Sequence, residues 1–285
     1  MKAAKILLIF LAVTLAVVAV ISAVGSSSGG EVAGGSSGKA AGELVTDTLP
    51  VAASSETKIG WGLGSSRNER GQPTDAVAAN KKYAALGGVF LYGDAKQITL
   101  TFDLGYENGY TEKILDTLKA KGVKAIFFIT SDYLESAPQI VRRIIDEGHV
   151  LGNHSVNHKS MPTLSNEAAA AEITGLHEAV KQQFGYEMQL FRFPMGEFSE
   201  SKLALAQSLG YESWFWSFAY RDWLTDDQPD PAAALKKIVG AAHPGAVYLL
   251  HAVSSTNASI MGNIIDELTA KGYKFTIPEV KNEQS

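Results

Sequence analysis

Residues 97–109 read QITLTFDLGYENG, a strand-like segment that runs into a glycine-rich turn and sets Asp103, Leu104 and Glu107 within a few residues of one another. An acid closing a strand is placed for chemistry. The leucine beside it can neither bind a metal, move a proton nor accept a hydrogen bond. Outward from this segment, short apolar runs alternate with stretches of helical period. QITLTFD, KAIFFIT, HVLGNHS, LFRFP, SWFWSFA, AVYLLH and YKFTIP read as strands. Helices are expected at about Thr111–Lys121, Pro138–Glu147, Asn166–Phe184, Glu200–Leu209, Pro231–Val239 and Asn257–Lys271. Gly122, Gly148, Gly210 and Gly272 close four of them, the usual carboxy-terminal cap. Alternating strands and helices make this an α/β chain with parallel pairing, which permits either a barrel or an open doubly wound sheet.

The chain has 285 residues, 46 % hydrophobic and 19 % charged, enough for one substantial domain with extra sequence. Its net charge of −5 offers no basic patch for a phosphate backbone, so nucleic acid is not an expected partner. Cysteine is absent, which rules out disulfides, thiolate metal sites, a cysteine nucleophile and a lipidated cysteine. Any metal must therefore sit on nitrogen and oxygen.

At the amino terminus Lys2 and Lys5 precede an apolar run from Ile6 to Val24, broken only by Thr14 and Ser22. Residues 1–24 read as a signal peptide or a membrane anchor, since a span needs about 20 apolar residues. The basic end is expected in the cytoplasm and the bulk of the chain outside, in the cell wall or anchored facing outward. Residues 25–57 are small, polar and aperiodic, as in a flexible linker. Residues 58–96 hold aromatics spaced too irregularly for a long helix, and are expected to form a strap packed on the main domain, residues 97–282. Trp61 in the strap could stack on a sugar, but a buried aromatic is the commoner arrangement.

Polar residues gather at strand ends: Asp103 closes the first strand, His154 and His158 follow the third, Arg192 lies in the fourth, Asp222 follows the fifth and His251 closes the sixth. Carboxyl ends of parallel strands share one face, where such folds place their sites. The four-residue spacing in HSVNH would put His154 and His158 on one side of a helical turn, able to share a zinc-like ion, although surface or capping histidines can be spaced this way too. His149, His177 and His243 read as structural. Arg192 among apolar neighbours needs a carboxylate, and Asp103 is the candidate; the pair would keep Asp103 ionised and aimed at water. Asp222 could likewise hold one nitrogen of His251 and leave the other facing substrate. Either pair alone could be a structural salt bridge.

Taken together, TFDLG, HSVNH, RFP, RDW and LLH stand in the order of the motifs of the polysaccharide deacetylases with NodB homology, which residues 97–280 resemble. The resemblance implies a distorted (β/α) barrel. A narrower likeness, carried by GYENGYT, GNHS, FWSFAYRDW, HPGAVYLLH and the WGLGSS and GGVFLYGD pieces of the strap, is to the delta-lactam-biosynthetic, or muramic acid, de-N-acetylases of spore-forming bacteria. It implies a glycan strand of peptidoglycan as substrate, formation of muramic delta-lactam in spore cortex, and action at the cell envelope. Independently of the likeness, the chain is expected to act as a monomer. By the same likeness Asp103 would be the base that activates water, His154 and His158 the ligands of a divalent metal, expected to be zinc, and His251 the acid that protonates the leaving amine. Arg192 would orient Asp103, Asp222 would orient His251, and a backbone N–H near Gly105 or Tyr106 could help hold the oxyanion.

Leu104 departs from the wider pattern, in which that position is a third, aspartate ligand; the muramic acid group tends to lack it as well. A weakened metal site is expected. Glu107 or Asn108 could lend an oxygen, or simply shape the turn. The competing expectations are a wall-glycan-binding pseudoenzyme and a deacetylase of another N-acetylated or O-acetylated polysaccharide.

Overall fold

The structure, a computed structural model, describes residues 54–280. The expected leader, and the linker as far as residue 53, lie outside the described residues. No described helix is long and apolar enough to cross a membrane.

In chain order the elements are β1 (Ile59–Gly60), α1 (Thr74–Tyr83), β2 (Gly88–Val89), β3 (Gln97–Leu104), α2 (Thr111–Lys121), β4 (Ile126–Ile129), α3 (Ser131–Ser136), α4 (Pro138–Asp146), β5 (Val150–Asn153) and α5 (Asn166–Phe184). There follow β6 (Leu190–Phe191), β7 (Glu197–Phe198), α6 (Glu200–Ser208), β8 (Glu212–Trp214), β9 (Phe218–Ala219), α7 (Pro231–Gly240), β10 (Ala246–His251), α8 (Ser255–Ala270) and β11 (Lys274–Phe275). The main sheet runs β2-β8-β6-β5-β4-β3-β10-β9, with β11 added to the start of β3, and all its pairings are parallel. It curls into a half-closed barrel with the helices outside, which decides between the two architectures left open by strand alternation.

The alternation of side chains along each strand builds two cores. Ile98, Leu100, Phe102 and Leu104 of β3 join Phe127, Ile129, Tyr248 and Leu250 in the large core under the helices. Ile126, Phe128, Val150, Leu190, Trp214 and Val247 point the other way and fill the barrel, with Val89 and Tyr92 packed against them. Helix starts are fixed locally: Ser165, Ser199, Asp230 and Ser254 each accept a backbone N–H of the following turn. The four glycines expected as caps all have positive φ.

Three expectations need correction or extension. SWFWSFA is two strands, because the chain changes sides of the barrel there: Phe215 N–H donates to Val89 O, and two residues on Ser217 N–H donates to Val247 O. The strap is more than packing. It contains helix α1, and its residues 88–92 run along that seam, with β2 on β8 and Tyr92 N–H bonded to Gly245 O. Gly245 has φ +71, and a Cβ there would lie 2.4 Å from Gly93 O, so only glycine allows this closure. Finally, the linker is tied down before residue 57, since Ser201 N–H donates to Ser55 O and Lys202 pairs with Glu56. Trp61 is a strut: it meets Phe90 edge-on at 4.5 Å and its indole N–H donates to Trp216 O at 2.9 Å.

Candidate active site

Register brings the first two groups together. Asp103 on β3 lies directly opposite His251 on β10, so both side chains leave the same face of neighbouring strands at the mouth of the barrel. Asp103, His154, His158 and His251 line one cleft of about 700 Å³. Arg192 and Asp222 are fully buried behind it.

Arg192 is locked in place by Nε donating to Trp214 O (3.0 Å), one terminal nitrogen to Phe215 O (3.2 Å), and the other to Thr101 Oγ1 and Asp103 Oδ1, both at 2.7 Å. Its guanidinium also lies 4.2 Å from the centre of the Phe128 ring. Burial alone would push the Asp103 carboxyl up, but the Arg192 charge, with His154 and His251 nearby, more than reverses this and holds it below the usual carboxylate range. Oδ1 is taken by Arg192, and Oδ2 faces the His154 imidazole.

His154 donates Nδ1–H to Arg192 O at 2.8 Å, which leaves Nε2 as the nitrogen with a free lone pair, 3.5 Å from Asp103 Oδ2. Burial lowers its pKa to about 4 despite Asp103, so the ring is neutral near pH 7 and the contact is not an ion pair there. His158 packs against it with ring centres 4.8 Å apart, and burial lowers its pKa also. These two rings do not share a helical turn, as their spacing suggested. The backbone is a tight loop in which Ser155 has φ +72 and His158 φ +53. Asn153 Oδ1 accepts from Ser155 N–H, and Ser155 Oγ accepts from His158 N–H. Met195 at φ +59 is the third non-glycine residue with positive φ among the described residues, and like His158 it lines the cleft. Backbone strain is thus concentrated at this site.

His251 Nδ1–H donates to Asp222 Oδ1 at 2.7 Å and His251 N–H to Asp222 Oδ2 at 2.8 Å. Burial alone would lower the imidazole's pKa; the hydrogen bond and charge of Asp222, with Asp103 beyond, raise it overall. The cleft therefore holds a carboxyl whose surroundings favour the ionised form and an imidazole whose surroundings favour the protonated form, the pairing that base-and-acid hydrolysis requires.

The donor set for a metal is two neutral imidazoles. Among the described residues no three His, Asp or Glu side chains form a cluster that could hold an ion. Leu104 is fully buried in the core under the helices and does not line the cleft. Glu107 is engaged elsewhere: its carboxylate accepts from Gly109 N–H, Thr111 Oγ1 and Tyr133 OH, while Asn108 donates to Val253 O. The turn-shaping reading of both residues is the one the structure supports. His149, His177 and His243 sit away from the cleft, with their rings bonded to Ala125 N–H, Tyr211 OH, and Ala241 O and Ser217 respectively.

Sequence reasoning missed Glu172. From α5 its carboxylate accepts Asn157 N–H (2.7 Å), Asn157 Nδ2 (2.8 Å) and Lys159 Nζ (3.1 Å), clamping the loop on both sides of His158. The signal was present: Glu172 interrupts the buried stripe Ala169, Ile173, Leu176 and Val180. It also missed the rim, where Tyr106, Met195 and Trp223 are 52 %, 53 % and 48 % exposed. Only three such large apolar side chains and Val77 are exposed among the described residues, so their grouping suits the face of a sugar ring.

Residues 92–214 match the family model described as polysaccharide deacetylase. The chain is 40 % identical over 220 residues to the peptidoglycan-N-acetylmuramic acid deacetylase PdaA of Bacillus subtilis, covering 76 % of this chain and 83 % of that protein. The solved structure of Bacillus subtilis PdaA, a family 4 carbohydrate esterase, superposes with a TM-score of 0.74 at 37 % identity, over 78 % of this chain and 95 % of that one. A family 4 carbohydrate esterase from Bacillus anthracis does so with a TM-score of 0.65 at 38 % identity, over 79 % and 95 %. Likeness of this depth, across nearly the whole of each relative and in both sequence and fold, means that the chain belongs to the polysaccharide deacetylase family, hydrolases of acetyl groups on polysaccharides.

Proposed function

We propose that the protein removes the N-acetyl group of muramic acid in peptidoglycan, outside the cytoplasm, as a step toward muramic delta-lactam. The observation that carries the chemistry is the register of Asp103 against His251, each with its own buried partner of opposite charge. The choice of muramic acid rests on the PdaA relative's activity and on the motifs shared with the lactam-forming group.

In this reading Asp103 Oδ2 accepts a proton from water as its oxygen attacks the acetyl carbonyl carbon. Backbone N–H groups at Gly105 and Tyr106, both on the cleft wall, receive the oxyanion. His251, with Nδ1–H held by Asp222, gives the Nε2 proton to the amide nitrogen of the sugar's acetamido group as the C–N bond breaks and acetate leaves. His154 and His158 are the residues that would hold a divalent cation, whose chemistry is polarisation of the acetyl carbonyl. Two neutral nitrogens fit such an ion in part, leaving its other positions to water or substrate.

The test is mass spectrometry of peptide-stripped glycan strands incubated with protein and zinc. Loss of acetyl with a new free amine on muramic acid is the expected result. A free amine on glucosamine would move the assignment to another sugar, and binding without any mass change would mean a wall-binding protein without turnover.

A further inference from the structure

Behind Asp222 lies a group that neither the motifs nor the mechanism uses. Asn257, in the first turn of α8, is fully buried, with its own N–H bonded to the helix-capping Ser254 Oγ at 3.0 Å. Its Nδ2 lies 2.6 Å from Asp222 Oδ2 and 3.1 Å from His251 O. An ionised carboxylate and a carbonyl can only accept, so both must face the NH₂ end of the carboxamide. The oxygen is then turned toward the buried Tyr220 hydroxyl, which donates to it. Each hydrogen bond fixes the direction of the next, from Tyr220 through Asn257 and Asp222 to the His251 ring.

We infer that Asn257, held by Tyr220, is a positioning residue that fixes Asp222, and through it the His251 imidazole, with Nδ1–H inward and Nε2 toward the cleft. The inference rests on the reading of His251 as the proton donor. Asp222 carries three donors on two oxygens: His251 Nδ1–H, His251 N–H and Asn257 Nδ2–H. The two from His251 come from one residue, so they leave carboxylate and imidazole free to tilt together. Asn257 is the contact that ties the pair to a helix. A carboxamide does this without adding charge, which leaves Asp222 as the anion the ring feels. Removing Asn257 would leave Asp222 Oδ2 with one donor, and the Tyr220 hydroxyl without its acceptor.

The test uses the full chain labelled with ¹⁵N in its six histidine rings, with His251 assigned by the signal lost in His251→Gln. In the unaltered protein His251 should give one tautomer and a slowly exchanging Nδ1–H proton. Asn257→Ala should broaden or shift that proton and lower kcat about tenfold with KM within about twofold, the size expected for one hydrogen bond to a charged group. Tyr220→Phe should do the same to a smaller extent, and the double variant should be no worse than Asn257→Ala, because Tyr220 acts only through Asn257. Unchanged His251 signals in the folded variants, or losses that multiply in the double variant, would overturn the inference. If Asn257→Ala does not fold, Tyr220→Phe decides alone, since it removes a single hydroxyl. Should no form turn over glycan, the proposed reaction fails, while the ring signals still report whether the relay positions His251.

Discussion

Arg192→Met is the sharpest perturbation of the site. The guanidinium is fully buried and meets Asp103 at 2.7 Å, so its removal strands a carboxylate that is itself only 8 % exposed. Breaking a buried pair from one side costs about 3–5 kcal/mol, because the remaining charge is desolvated without compensation. Trp214 O, Phe215 O and Thr101 Oγ1 lose donors as well, which adds to this figure. With m of about 2 kcal/mol/M in urea, a loss of about 4 kcal/mol lowers the midpoint by about 2 M. Asp103→Asn in the same background removes the stranded charge and should return about 2–3 kcal/mol, even though it is a second substitution. The assay is urea unfolding followed by fluorescence for the four proteins of the cycle, at equal m. Additivity within about 0.5 kcal/mol would refute the argument, since it would mean that Asp103 does not depend on Arg192 for its charge.

Activity should fall on the alkaline side as pH rises through the raised His251 value, while Asp103, whose value is lowered, should not by itself limit activity on the acid side until pH is below the ordinary carboxylate range. Asp222→Asn removes the anion that sustains the imidazolium, so the alkaline limb of log kcat/KM should move to lower pH; an unmoved limb would remove His251 as the acid. Glu172→Ala should cost about 2–4 kcal/mol through its two Asn157 bonds, the exposed Lys159 contributing little, and should weaken zinc binding by calorimetry; unchanged affinity would mean that the loop holds itself. Leu104→Asp places a carboxylate in the helix-facing core, so its Tm should drop without metal, and zinc should recover more of it than it adds to the unaltered protein. Equal zinc shifts would show that position 104 does not reach the ion.

Much of this architecture could be read from residues alone, because strands and helices here carry strong local patterns. The helix bounds at Thr111–Lys121 and Asn166–Phe184 coincide with expectation, and glycine caps mark several ends. Asp103, Arg192, Asp222 and His251 were legible because ionisable groups among apolar strand residues need partners, and these have them. What stayed hidden depends on tertiary contact. Helix α1 lacks a side-chain cap, its polar surface masks a short buried stripe of Ala76, Ala79 and Tyr83, and β2 is two residues long. Glu172 is marked by the apolar stripe it interrupts, but the residues that it and Asn257 hold lie 15 and 35 positions away, so spacing could not reveal what either one fixes. The loop at His154 and His158 is set by left-handed residues and side-chain bonds that no periodicity encodes.

The seam where residues 88–92 lie has a practical corollary for anyone preparing a shortened protein. A version begun at residue 97, where the recognisable motifs start, would strip β8 of its outer neighbour and leave Phe215 without the Phe90 ring stacked on it at 4.3 Å. It would also release Trp216, on the cleft wall, from Trp61. Recombinant fragments should therefore retain everything from about residue 54 onward, and a lifeless preparation lacking that portion would say more about its missing wall than about its catalytic groups.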